Sequence, residues 1–174
     1  MSEIDRPQFT PEVEVLFRNH SRLVYKTACV VTGNREDAED VLQTIFLRLT
    51  RAVPATLYKN PAGYLYRAAV NISLNRIRFR RRQVLTADFQ FLDIAQSSLG
   101  SNVDEETVRR LHEAISTLSS RTVEILILRY VHDYSEPEIA KLLGRARSTI
   151  AVTLFRARNR LRTLLVARSN GEKK

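Results

Sequence analysis

Apolar residues recur at helical spacing along most of the chain, and strand-like alternation is absent. Thr10-Pro11, a cap residue followed by proline at the first helical position, predicts a helix to about Val31 or Thr32, which Gly33-Asn34 breaks. Asn34 should cap the next helix. Glu36 and Asp37 fall in its first turn, where the helix dipole favours carboxylates, and Val41, Leu42, Ile45, Phe46 and Leu49 form its apolar face before Pro54 ends it. Asn60-Pro61 opens a third helix, with Leu65, Ala68, Ala69, Ile72, Leu74 and Ile77 apolar and Arg80, Arg81 and Arg82 at its exit. Periodicity fades between Gln83 and about Val103, where Ser97, Ser98, Gly100, Ser101 and Asn102 mark a connector. It still holds Phe89, Phe91, Leu92 and Ile94, more apolar surface than a freely solvated tether usually carries. From Asp104 helical spacing resumes, over about 105–117 and 120–132.

Two more helices follow. Ser135 and Glu138 have the spacing of a capping box, Pro137 sits in the first turn, and Ile139, Ala140 and Leu143 give an apolar face that stops at Gly144. Beyond the glycine, Ile150, Leu154, Ala157, Leu161 and Leu165 form a second face, with Arg156, Arg158, Arg160 and Arg162 on the others. This pattern predicts a helix-turn-helix. The expected fold is all-α: two small helical domains, 1–82 and 104–174, joined by a flexible acidic linker, 83–103, with the helix-turn-helix in the second domain.

Charge sharpens this picture. A net charge of +9 favours a polyanionic partner, and its distribution matters more than its total. Arg67, Arg76, Arg78, Arg80, Arg81 and Arg82 lie in a stretch with no acid, and a second basic stretch runs from residue 139 onward. Between them lie Asp88, Asp93, Asp104, Glu105 and Glu106, with no base from 83 to 106. Lys141, Arg145 and Arg147 surround the glycine turn, which points to nucleic acid.

Catalysis finds little support. His20, His112 and His132 lack metal-ligand spacing, Cys29 has no partner motif, and no glycine-rich phosphate loop exists. No catalytic residue, metal or cofactor is expected. The single cysteine excludes a disulfide within the chain, and Cys29 reads as a buried structural thiol. No apolar run approaches a membrane span and the start lacks a signal segment, so a cytoplasmic location is expected.

The order of motifs resembles the extracytoplasmic-function (ECF) sigma factors of bacteria, the two-domain members of the sigma-70 family, from about Pro11 to Leu165. Ala38-Glu39-Asp40-Val41-Leu42-Gln43, followed by Phe46, is similar to the family's region 2 helix that docks on the clamp helices of RNA polymerase. The resemblance implies that Asp37, Asp40 and Gln43 face the polymerase. The run from Tyr64 to Arg78 resembles the helix that reads and opens the minus-ten promoter element. Tyr58, Tyr64, Tyr66, Asn71 and Asn75 would then hold extruded bases, while Arg67, Arg76, Arg78, Arg80 and Arg81 track phosphates. The loop from about Ala55 to Gly63 would help capture a flipped base, and tyrosine stands at position 64 where many relatives have tryptophan.

Leu118-Ser119, Arg121, the Ser135–Gly144 segment and Phe155-Arg156-Ala157-Arg158 resemble region 4, which reads the minus-thirty-five element. Arg145, Arg147, Ser148, Thr149, Phe155 and Arg156 are the residues this resemblance sets nearest DNA, with Ile150, Leu154 and Ala157 inward. The family often has lysine or arginine, serine and arginine where this chain has Ala151, Val152 and Thr153, so readout should lean on phosphates and methyl contacts. The implied partners are core RNA polymerase, through its beta-prime clamp helices and beta flap, promoter DNA, and the anti-sigma protein common in the family. The acidic connector would thread the polymerase's RNA path. The alternative is a stand-alone helix-turn-helix regulator, which would need its own dimer interface and has no use for a second basic, aromatic-bearing helix.

Overall fold

The computed structural model describes residues 10–83 and 105–169, all of whose regular elements are helices. Helix α1 (Pro11–Thr32) begins on the Thr10 hydroxyl, which accepts from the Val13 N–H, and ends on Gly33 at φ 67°. Helix α2 (Arg35–Arg51) starts one residue after that turn, with the Asn34 side chain accepting from the Asp37 N–H. A short helix, α3 (Ala55–Lys59), occupies part of the segment expected as a loop. Pro54 supplies the extended residue before it. Asn60 then caps α4 (Pro61–Gln83), its side-chain oxygen accepting from the Gly63 N–H at 2.9 Å. The expected connector, 83–103, lies outside the described residues beyond Gln83, as does the side chain of Arg81.

The second half comprises α5 (Glu105–Thr117), α6 (Ser120–Tyr130), α7 (Glu136–Leu143) and α8 (Arg147–Ser169). The capping box forms, and Glu138 accepts from the Ser135 N–H at 2.8 Å. Helix α7 ends on Gly144 at φ 64°, a left-handed conformation that costs an L side chain about 1–2 kcal/mol. No atom lies within 4 Å of where a Cβ would sit, so strain alone opposes substitution there. Gly144→Ala should therefore lower the unfolding free energy by about 1–2 kcal/mol in urea titrations, with the slope unchanged.

Each half has an apolar interior, but only one of these is private. Val13, Val24, Ala28, Val41, Ile45, Phe46, Leu57, Leu65 and Ala69 form a core within α1–α4, where the Phe17 and Phe46 rings meet edge-on at 4.9 Å. Cys29 lies in this core as expected, and burial pushes its thiol up. The other core is shared. Val31 of α1 and Tyr66, Val70 and Leu74 of α4 pack with Leu118 and with Ile115, Val123, Ile127, Ile139, Ile150 and Leu154 of α5–α8. Helix α4 is thus apolar on two faces, one toward its own domain and one toward the other. The two domains, expected as units on a tether, pack directly against each other.

Among the described residues no helix is long and apolar enough to cross a membrane, and no cluster of three His, Cys, Asp or Glu could hold a metal ion.

Candidate nucleic-acid interface

Periodicity divides the α4 residues by face. Asn71, Asn75 and Phe79, at successive i+4 positions, are exposed, and Arg67 begins the same row half-buried. Phe79, 58% exposed, was missed by sequence reasoning. It falls off both buried stripes of α4, and an aromatic in line with two asparagines was the signal available. Tyr58 is exposed on α3, its hydroxyl donating to Glu12 at 3.1 Å, and Tyr64 is half-buried beside a 300 Å³ groove lined by Arg48, Leu49, Pro54, Ala68 and Ile72.

Two expected residues sit elsewhere. Tyr66, expected to hold a base, is fully buried in the shared core and donates its hydroxyl to the Glu124 carbonyl at 2.5 Å. Its ring also stands edge-on to His132, and burial drives the phenol well above its ordinary range. Asp37, expected to face a partner, is also buried. Its carboxylate accepts from Arg76 Nε at 2.7 Å and from Arg80 at 3.0 Å, so its charge is spent on α4. Asp40 remains half-exposed and takes the other end of Arg76 at 2.5 Å, while Gln43 is exposed. The first turn of α2 therefore does two jobs: it complements the dipole and fixes two arginines of the neighbouring helix.

Arg78 points toward the second domain, donating to the carbonyls of Ser116 (3.2 Å) and Leu118 (2.7 Å). Arg67 and Arg145, from different domains, both bear on Glu124, a buried carboxyl raised by desolvation and lowered in part by Arg145, Arg67 and Arg121. Arg145 is itself half-buried, and its Nε has no hydrogen-bond partner.

The helix-turn-helix presents an open face. Ile150, Leu154 and Ala157 are buried as expected, which turns Arg147, Ser148, Thr149, Phe155 and Arg156 outward. Phe155 is 65% exposed and Val152, one of the three residues expected to favour methyl contacts, 47%. Two bare apolar groups between cations suit contact with thymine methyls better than guanine-specific forks. Arg158 lies 6.0 Å over the exposed Tyr130 ring, which tethers its guanidinium at the edge of this face.

His132 closes the seam between the domains. Its Nε2 lies 2.9 Å from Thr27 Oγ1 of α1, and burial, with Lys26 nearby, lowers its pKa to about 4 against the pull of Asp133. Neutral His132 is therefore favoured in the packed form. The stabilisation is complete above about pH 6.5 and is lost as pH falls toward 4. Glu124 acts in the opposite sense, since its raised carboxyl takes up a proton early. Thermal melts between pH 7 and pH 4 should show wild type losing stability relative to His132→Gln; parallel curves would refute this assignment.

Comparison with known proteins follows the same division. The family model for sigma-70 region 2 matches residues 16–83, and that for sigma-70 region 4 matches residues 108–161. The ECF RNA polymerase sigma factor SigE of Mycolicibacterium smegmatis is 28% identical over 92% of this chain, which spans 64% of that relative's length. SigM of Mycobacterium tuberculosis, also an ECF RNA polymerase sigma factor, is 29% identical over 86% of the chain and 75% of the relative. Among solved structures, the sigma factor RpoE of Bartonella quintana, in complex with the anti-sigma factor NepR, superposes with a TM-score of 0.56 at 22% identity. That match covers 90% of this chain and 98% of the other, and at this identity it speaks to the fold alone.

Proposed function

The chain belongs to the sigma-70 family, in its ECF branch, and from that premise we propose that it binds core RNA polymerase and directs initiation at a specific set of promoters. Residues 1–82 form the unit that docks on polymerase and holds the opened minus-ten strand, and residues 104–174 form the unit that reads the minus-thirty-five duplex. The protein works in the cytoplasm and carries out no covalent chemistry of its own.

One observation supports this reading above the rest: two basic, aromatic-bearing helices, α4 and α8, stand in one chain with different chemistry. The α4 row of Asn71, Asn75 and Phe79 suits single strands, which are gripped by stacking and polar edges. The α8 face of Arg147, Thr149, Val152, Phe155 and Arg156 suits a major groove. A regulator of duplex DNA alone would need only the second. Asp40 and Gln43, exposed on α2, are the polymerase contacts in this reading, with Asp37 holding Arg76 and Arg80 behind them.

The test is reconstitution with bacterial core polymerase on genomic fragments, scoring initiated transcripts with and without the protein. In the same assay Arg147→Ala and Phe155→Ala should re-rank promoters by their upstream sequence, with changes of roughly 10- to 100-fold at the most affected sites. An unchanged ranking for both would displace α8 as the reading helix.

A further inference from the structure

Ile150, Leu154 and Ala157 are buried, so the helical repeat fixes the opposite face of α8: Ser148, Val152, Phe155 and Asn159 run along it, all exposed. The middle of that strip is apolar. Beside it Ala151 carries no hydrogen-bonding side chain, and the Thr153 hydroxyl donates to the Thr149 carbonyl at 2.7 Å. Cations stand to either side, Arg156 and Arg160 on one flank and Arg147, Arg158 and Arg162 on the other, each exposed. We propose that α8 reads the C5-methyl groups of pyrimidines, so that it accepts thymine and 5-methylcytosine where it rejects cytosine. This rests on the role given to α8 above and names what that helix recognises.

The exposure of Val152 and Phe155 serves no packing, since neither joins either core. A helix with cations on both flanks and none at the centre of its outer strip fits a groove between two phosphate walls. That strip then meets base edges. In the major groove these show hydrogen-bond donors and acceptors and one apolar group, the methyl of thymine. Val152 and Phe155 have no donor or acceptor in their side chains, so pressing them on a G·C pair strips water from guanine N7 and O6 and from cytosine N4 without replacement. Against a methyl the same side chains bury apolar area on both partners. The two residues are three positions apart, about 4.5 Å along the helix axis, so they meet neighbouring base pairs. Neither can tell the O4 of thymine from the N4 of cytosine by a hydrogen bond. The methyl decides. Cytosine methylated at C5 is therefore recognised in place of thymine, and methylation of an upstream element turns a promoter that this protein passes over into one it uses.

The experiment takes a promoter fragment selected in the reconstitution above and measures its affinity for the complex of polymerase and full-length protein by competition. Uracil replaces thymine at each upstream position in turn, which removes one methyl and leaves every base-pairing group in place. At two neighbouring positions affinity should fall by roughly 4-fold each. Cytosine at those positions should bind more weakly still, and 5-methylcytosine should recover about 4-fold over cytosine. Val152→Ala and Phe155→Ala truncate exposed side chains outside both cores, and each should abolish the sensitivity to uracil at one of the two positions. Three results overturn methyl reading: uracil tolerated throughout the element, sensitivity unchanged in both variants, or 5-methylcytosine no better than cytosine. If no fragment initiates with polymerase, the proposed function fails instead. The free chain, in which the α8 strip is exposed, then answers on random duplex pools made with thymine or with uracil: tighter binding of the thymine pool supports methyl reading, and equal binding overturns it.

Discussion

Tyr66→Ala should lower the unfolding free energy by about 3–5 kcal/mol, the usual cost of deleting a buried aromatic ring. The residue is fully buried where α4 meets the second domain, so the cavity opens between Val70, Leu74 and the α5–α7 side chains and cannot be refilled by solvent without wetting both. Tyr66→Phe keeps the ring and loses only the bond to the Glu124 carbonyl, which should cost about 1 kcal/mol. Urea titrations of the pair separate packing from hydrogen bonding. A loss below about 1 kcal/mol for the alanine variant would mean that the shared core does not form in solution.

The second large effect concerns charge. Replacing Arg67, Arg76, Arg78 and Arg80 together by Gln should flatten the dependence of promoter binding on log salt by about 3, taking roughly 0.7–0.9 for each phosphate no longer neutralised. Affinity should fall for all promoters alike, because phosphates position and do not specify. The four do not start from the same condition. Arg76 and Arg80 are ion-paired to Asp37 within their own domain, which fixes where their guanidinium groups lie. Arg78 instead donates to main-chain carbonyls of the second domain. Single variants should therefore divide: Arg76→Gln and Arg80→Gln weaken binding, whereas Arg78→Gln also loosens the domain seam. Promoter-dependent losses would point to base readout by these residues and contradict their assignment to phosphates.

Local signals carried much of this structure. The Thr10, Asn34 and Ser135 caps, the Gly33 and Gly144 stops and the inward face of α8 are each decided by a few adjacent residues, and each stands where the spacing sets it. What depends on a partner helix was less legible. Tyr66, Val70 and Leu74 repeat at i+4 beside the stripe of Leu65, Ala69 and Ile72, so α4 was readable as two-faced, but nothing in the chain says that the second face meets its own C-terminal half. Asp37 shows the same limit. A first-turn acid is explained by the dipole, and only the fold brings Arg76 and Arg80 to it. The hydrogen bonds of the seam are also invisible in sequence, since they end on main-chain carbonyls that every residue carries. Phe79 went unnoticed for the opposite reason: an apolar residue on a helix reads as core until its exposure is known.

The most direct measurement is strand opening. Core RNA polymerase mixed with this protein on a promoter fragment should make thymines around the minus-ten element reactive to permanganate and protect the minus-thirty-five duplex, and neither component alone should do so. A protein that neither co-migrates with the polymerase nor produces that reactivity would contradict the account at its centre.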